Sequence, residues 1–296
     1  MTSLTYQDSQ GKGTRPAREL ALDGAGSLPG ERPQSSSGDL LQTPASGRRG
    51  RVVSVLREDP DLARHVDPAQ AHTASRHAGA NVVSLPKGMF CPHEWLPNRP
   101  GTFGMLVLDG LLLRGVQVAG RPSLEVLGTG DVVRPFEPER DPYAAVPELV
   151  RWWALRPAML AVLDASFVRR MSDYPEVIGE LAGRLASGSA RGCLRLSIVQ
   201  QPRLSTRLEV MLWHLADRFG RVHSEGVLVA VPMCQGLLSW LVGASRPAVC
   251  RAVKQLQREG RVEPGPDGTW WLRRRPEDLA ELTLARKMSP SERGPS

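Results

Sequence analysis

Cysteine is scarce in this chain and scattered. Cys91, Cys193, Cys234 and Cys250 lie far apart, with no CxxC and no Cys/His pair at metal-ligand spacing. That excludes a disulfide-stapled scaffold and a zinc site of the usual kind, and leaves four free thiols as the expectation. No apolar run approaches the roughly 20 residues that span a bilayer, and the N-terminus has no signal-peptide core, so no membrane is expected and the cytoplasm is the default location. A nucleophile elbow, a phosphate loop and a dinucleotide fingerprint are also missing, which argues against an enzyme and gives no reason to expect a cofactor or a metal. Residues 1–50 lack apolar periodicity. They hold 8 Gly, 7 Ser and 4 Pro with balanced charge, a composition that cannot bury enough surface to fold, so a disordered tail is expected there rather than a basic arm.

What is present is a hydrophobic content of 41% over 296 residues, enough for about two domains with real cores. The net charge of +7 favours nucleic acid or another anionic surface as partner. That charge is concentrated. Residues 231–275 contain eight Lys/Arg against three Asp/Glu, net +5.

Two short helical patterns meet in that stretch at Gly243. Met233, Leu237, Leu238 and Leu241 make one apolar stripe; Val249, Ala252, Val253 and Leu256 make another. The opposite side of the second helix, expected over 246–258, carries Pro247, Ala248, Arg251, Lys254 and Gln255. Ser245 stands at the N-cap position and Pro247 in the first turn, where a missing N–H costs little. Arg261 and Val262 then begin a strand, the Pro264-Gly265-Pro266-Asp267-Gly268 run is a dense turn signal, and Thr269-Trp270-Trp271-Leu272 returns. This is the sequence form of a helix-turn-helix with a wing, which lays its second helix in the DNA major groove.

These residues carry a family resemblance. Val-Gly-Ala-Ser-Arg-Pro at 242–247, the spacing to Leu256 and Glu259-Gly260, and the Asp267-Gly268-Thr269-Trp270 wing resemble the C-terminal domain of the Crp/Fnr family of bacterial transcription regulators, in its actinobacterial branch. The excess of Arg over Lys, with many Ala and Gly, fits a GC-rich genome. An iron–sulfur regulator of this family would carry a cysteine cluster before its sensor domain, and none precedes Cys91. The resemblance implies DNA contact at Ser245, Arg246, Pro247 and Arg251. Arg246 and Arg251 suit a base edge or a phosphate; Lys254, Arg273, Arg274 and Arg275 suit phosphates. Gln235 and Ser239 on the first helix are weaker choices. Pro247 replaces an acidic base-reading residue found in some members, so no target sequence is carried over.

Upstream, residues 81–85, 105–108, 111–118 and 123–127 read as short strands separated by turns, an antiparallel β-barrel or jelly roll. Short helices are expected near 59–62 and over 68–78. His65, His72 and His77 fall there as surface side chains. Leu-Gly-Thr-Gly-Asp-Val-Val at 127–133 resembles the glycine-aspartate turn of cyclic-nucleotide-binding-like domains, and residues 155–167 resemble the strand and helix that close them. The cassette that grips a cyclic phosphate in this fold needs a Gly-Glu pair and an Arg followed by a small hydroxyl residue. Here the stretch from Arg134 to Tyr143 has neither and holds acidic residues, which repel phosphate; cAMP control is therefore not expected.

Residues 173–200 alternate apolar and small residues by three and four: Ile178, Leu181, Leu185, Gly188, Gly192, Leu196 and Val199. Such a seam is what a two-stranded coiled coil buries, and in the resembled family that helix pairs about a two-fold axis. The alternative is packing on the chain's own β-domain. A helix over 205–219 should brace the winged helix.

The expected architecture is thus α+β: a tail at 1–50, a cyclic-nucleotide-binding-like β-domain at 51–172, a dimerisation helix at 173–201, a winged helix at 202–280 and a flexible end at 281–296. The expected partners are double-stranded DNA with a two-fold-related site, a second copy of the chain, and RNA polymerase as a regulator's further partner. The competing reading is a protein-interaction module whose degenerate winged helix docks a partner. Cys234 favours it, since it takes the cap position usually held by Thr or Ser.

Overall fold

The structure is a computed structural model, and it describes residues 48–96, 100–134 and 148–273. The chain builds four layers. Strand β1 (Arg48–Ser54) is followed by helices α1 (Val55–Glu58) and α2 (Pro68–His77), separated by a 3-10 turn. Then come β2 (Gly79–Leu85), β3 (Gly88–Phe90), β4 (Gly104–Asp109), β5 (Leu111–Val118), β6 (Arg121–Gly128), β7 (Val132–Val133), β8 (Glu148–Ala154) and β9 (Ala158–Leu163). These form two antiparallel sheets, ordered β1-β2-β9-β4-β7 and β3-β8-β5-β6.

Period-two alternation explains why β4 and β9 read as nearly continuous apolar runs. In β4, Met105 and Val107 point between the two sheets, while Leu106 and Leu108 point to the opposite face. In β9, Leu160 and Val162 face inward and Ala161 and Leu163 outward. Both faces of these two strands are largely covered, so polar residues have little room to alternate. The space between the sheets is filled by Phe90, Trp95, Leu112, Leu127 and Trp152, with the Phe90 ring 6.2 Å from both Trp95 and Trp152.

The outer face of the first sheet is closed by α1, α2, α3 (Ala165–Arg170) and the start of the long helix α4 (Pro175–Val199), through Leu56, Phe167, Met171, Val177 and Leu181. Asp164 caps α3, accepting from the Ser166 and Phe167 amides at 3.0 and 2.9 Å. Burial works against its charge, but the Ser166 hydroxyl, those amides and the Arg170 charge together hold the carboxyl below the usual range.

The outer face of the second sheet is closed by the C-terminal unit. Leu111, Leu113, Leu124 and Val126 share one apolar core with Met211, Leu215, Leu237 and Leu241. That unit consists of α5 (Leu204–Phe219), β10 (Gly220–His223), β11 (Gly226–Val229), α6 (Gln235–Leu241), α7 (Arg246–Arg258), β12 (Val262–Pro264) and β13 (Trp270–Leu272), with a sheet ordered β10-β11-β13-β12. The structure begins its first strand at Arg48, a few residues earlier than expected. It also adds β3, β8 and the β10–β11 hairpin, none of which the periodicity showed.

The long helix packs part of its expected seam within the chain. Leu181 is fully buried against the chain's own β-domain, and Ile178 and Leu185 pack on the same core. Val199 packs on the core shared with the C-terminal unit, so four positions of the expected dimer seam are occupied within the chain. The side left exposed carries Gly179, Ala182, Gly183, Ala186, Ala190, Cys193 and Ser197, flanked by Leu194 and Leu196, which are 49% and 66% exposed.

Candidate nucleic-acid interface

The geometry of α7 follows from its two faces. Val249, Ala252, Val253 and Leu256 are buried against α5, whose Leu208, Met211 and Leu212 complete the seat. On the other side Arg246, Pro247, Arg251, Lys254 and Arg258 are exposed. The four basic residues among them make no ion pair or hydrogen bond among the described residues. The face is a row of uncommitted cations on a rigid element.

Three devices hold α6 and α7 in register. Gly243 turns the chain between them at φ +64°, a conformation glycine adopts without penalty, and the Ala244 amide donates to the Ser239 carbonyl at 2.9 Å. Arg207 of α5 donates Nη1 to the Val242 carbonyl at 3.0 Å, satisfying the open end of α6. Arg261 sets Nε 2.8 Å from Oε1 of Glu209, which is buried on α5, and so ties the start of the wing to the bracing helix.

The wing is pinned from the other direction. The Met233 amide donates to the Gly268 carbonyl at 2.8 Å, and Trp270 Nε1 donates to the Met233 carbonyl at 3.0 Å. The wing tip is tight, with Asp267 at φ +53° in the left-handed region that aspartate tolerates better than most residues.

The expected site residues sort clearly. Ser245 is the N-cap residue of α7 by backbone conformation, but its side chain makes no cap hydrogen bond and is exposed. Gln235 is partly buried, and its Oε1 accepts from the Cys250 thiol at 2.6 Å, linking the two helices. Ser239 turns inward, 5% exposed, and donates to the Gly236 carbonyl; the weaker choice of Ser239 as a DNA contact is corrected by that burial. Arg273 leaves the row as well. Its Nη2 lies 2.7 Å from Glu263, its Nη1 bonds the Glu225 carbonyl at 2.8 Å, and its guanidinium stacks 5.1 Å over Trp271. Two carboxylates already neutralise it. Arg274 and Arg275 lie outside the described residues, as do the terminal tails and the cassette stretch beyond Arg134.

Sequence reasoning missed Arg258 as a member of the face. The signal was available: it follows Lys254 by four residues and Arg251 by seven, the spacing of one helical side.

Comparison with known proteins adds the architecture. No protein-family model matches the chain, and no curated protein matches it. Among solved structures, the FixK2 protein of Bradyrhizobium japonicum superposes with a TM-score of 0.51 at 17% identity, over 69% of this chain and 96% of that one. A cyclic nucleotide-binding domain containing protein of Listeria monocytogenes EGD-e gives 0.52 at 14% identity, over 65% and 88%. A CRP/FNR family transcriptional regulator of Thermus thermophilus gives 0.47 at 22% identity, over 69% and 99%. At these identities the likeness is one of fold: the chain has the architecture of FixK2, with a cyclic-nucleotide-binding-like β-roll, a long helix and a C-terminal winged helix.

Proposed function

We propose that this protein is a homodimeric, sequence-specific DNA-binding transcription regulator that inserts α7 into the major groove. The observation that carries this reading is the face of α7. Arg246, Arg251, Lys254 and Arg258 are exposed and uncommitted, on a helix immobilised by α5, the α6 turn and the wing. A row of unpaired cations on a rigid helix repels itself unless an anion meets it, and a duplex supplies regularly spaced phosphates together with base edges that guanidinium groups recognise. Arg246 and Arg251 are assigned to bases or phosphates; Lys254 and Arg258 are assigned to phosphates. Ser245, free of capping duty, and Pro247 lie at the groove, with Gln235 beside them. Arg273, doubly paired with glutamates, and Arg274 and Arg275 next to it are assigned to the flank of the duplex.

Dimerisation is assigned to the exposed side of α4, where Gly179, Ala182, Gly183, Ala186 and Ala190 allow close approach of a second helix and Leu194 and Leu196 supply apolar area. Control by cAMP is not part of this reading. The acidic, proline-rich stretch after Arg134 lacks the residues that grip a cyclic phosphate, and Phe90, Trp95 and Trp152 fill the space between the sheets.

The test is selection of bound sequences from a random duplex pool by the purified full-length chain. Enrichment of a site with two-fold-related halves about one helical turn apart, roughly 34 Å, is expected. Enrichment of no sequence would leave the winged helix as a protein-docking module and defeat the reading.

A further inference from the structure

The turn at residues 128–131 joins three parts of the molecule. The Asp131 side chain is 6% exposed, and its two oxygens reach three partners on three elements. Oδ2 accepts from the Gly128 amide at 2.8 Å within the turn itself, Oδ1 accepts from Arg191 Nη2 of α4 at 2.7 Å, and Oδ2 also pairs with Arg218 Nη2 of α5. The same turn engages both helices a second time. The Gly130 carbonyl accepts from Arg184 of α4 at 3.1 Å, and Arg184 is held in turn by Asp59. At Gly128, a Cβ would stand 2.6 Å from the Phe219 ring, so the last residue of α5 fits only because position 128 has no side chain. The Arg218 guanidinium stacks 4.7 Å over that ring.

From this we infer that Asp131 is an interdomain pin: it fixes the orientation of the winged helix on the β-domain by tying α5 and α4 to one turn. Apolar contact between α6 and β6 is non-directional and tolerates sliding, whereas a buried carboxylate shared by two guanidinium groups has one geometry. With the domain so held, the basic face of α7 remains open to solvent, so the pin presents that face and does not hide it. A cavity of about 410 Å³ lined by Asp59, Thr129, Asp131, Arg184, Arg191 and Arg218 opens beside the pin. The inference concerns the free protein and stands whether or not the DNA-reading role does.

Hydrogen exchange on the full-length protein without DNA tests it. In Asp131→Asn and in Arg218→Gln, amides in the last turn of α5 and in α6 should exchange at least about tenfold faster, while those of β4 and β9 keep their protection. Arg218→Lys, which retains the charge, should restore most of it. Unchanged exchange in α5 and α6 in both variants would overturn the inference. So would a loss spread evenly over β4, β9, α5 and α6, since that is general destabilisation and not release of one domain.

Discussion

On the proposed role, single side chains decide which groups of a duplex α7 meets. Arg251 sits mid-helix on the exposed side with no partner among the described residues, where a fork of donors matches a guanine edge; Lys254 is a point charge beside it. Replacing Arg251 by Ala should cost about 1–3 kcal/mol on the selected site and relax one base position, whereas Lys254→Ala should weaken all sequences alike. Competition binding against random duplex measures both, and equal losses on specific and random DNA for Arg251→Ala would refute its assignment to a base. Some of this was legible in the sequence, because a helix with a 3.6-residue apolar stripe declares which side is wet. What stayed illegible were side chains whose fate is tertiary. Ser239 lies one position off the apolar stripe of α6 and is nonetheless buried, while Arg273 is claimed by Glu225 and Glu263, 48 and 10 residues away in sequence.

At the scale of elements, α7 spans Arg246–Arg258 as its pattern required, and β5 spans Leu111–Val118. The β10–β11 hairpin escaped notice because its four-residue strands are too short to show alternation, and β8 because its charged and aromatic residues obscure the period. Spacing by three and four in α4 marks any buried helical side and cannot tell a partner helix from the chain's own sheet, on which Ile178, Leu181 and Leu185 pack. The structure moves the open side to the stretch flanked by Leu194 and Leu196. Leu196→Glu, which places a charge on that side, should shift the protein from dimer to monomer in sedimentation velocity without lowering its Tm; an unchanged dimer would place the interface elsewhere. Leu256, fully buried between α7 and α5, belongs to the opposite class. Leu256→Ala should destabilise the winged helix by about 2–5 kcal/mol in urea unfolding, with the β-domain transition unchanged.

The whole molecule is one continuous stack: helices, sheet, sheet, winged helix, with apolar cores on both sides of each sheet. Composition showed the charge bias and its location, but not that the second sheet would be closed by the C-terminal unit itself. The central claim is that the basic face of α7 meets a duplex. The most direct measurement is the affinity of the full-length protein for its selected site across a salt series. Log affinity should fall linearly with log salt, with a slope of about −0.9 for each phosphate neutralised, and Lys254→Ala should make that slope shallower by about one unit per protomer bound. Affinity independent of salt, or no duplex binding at low salt, would contradict the account.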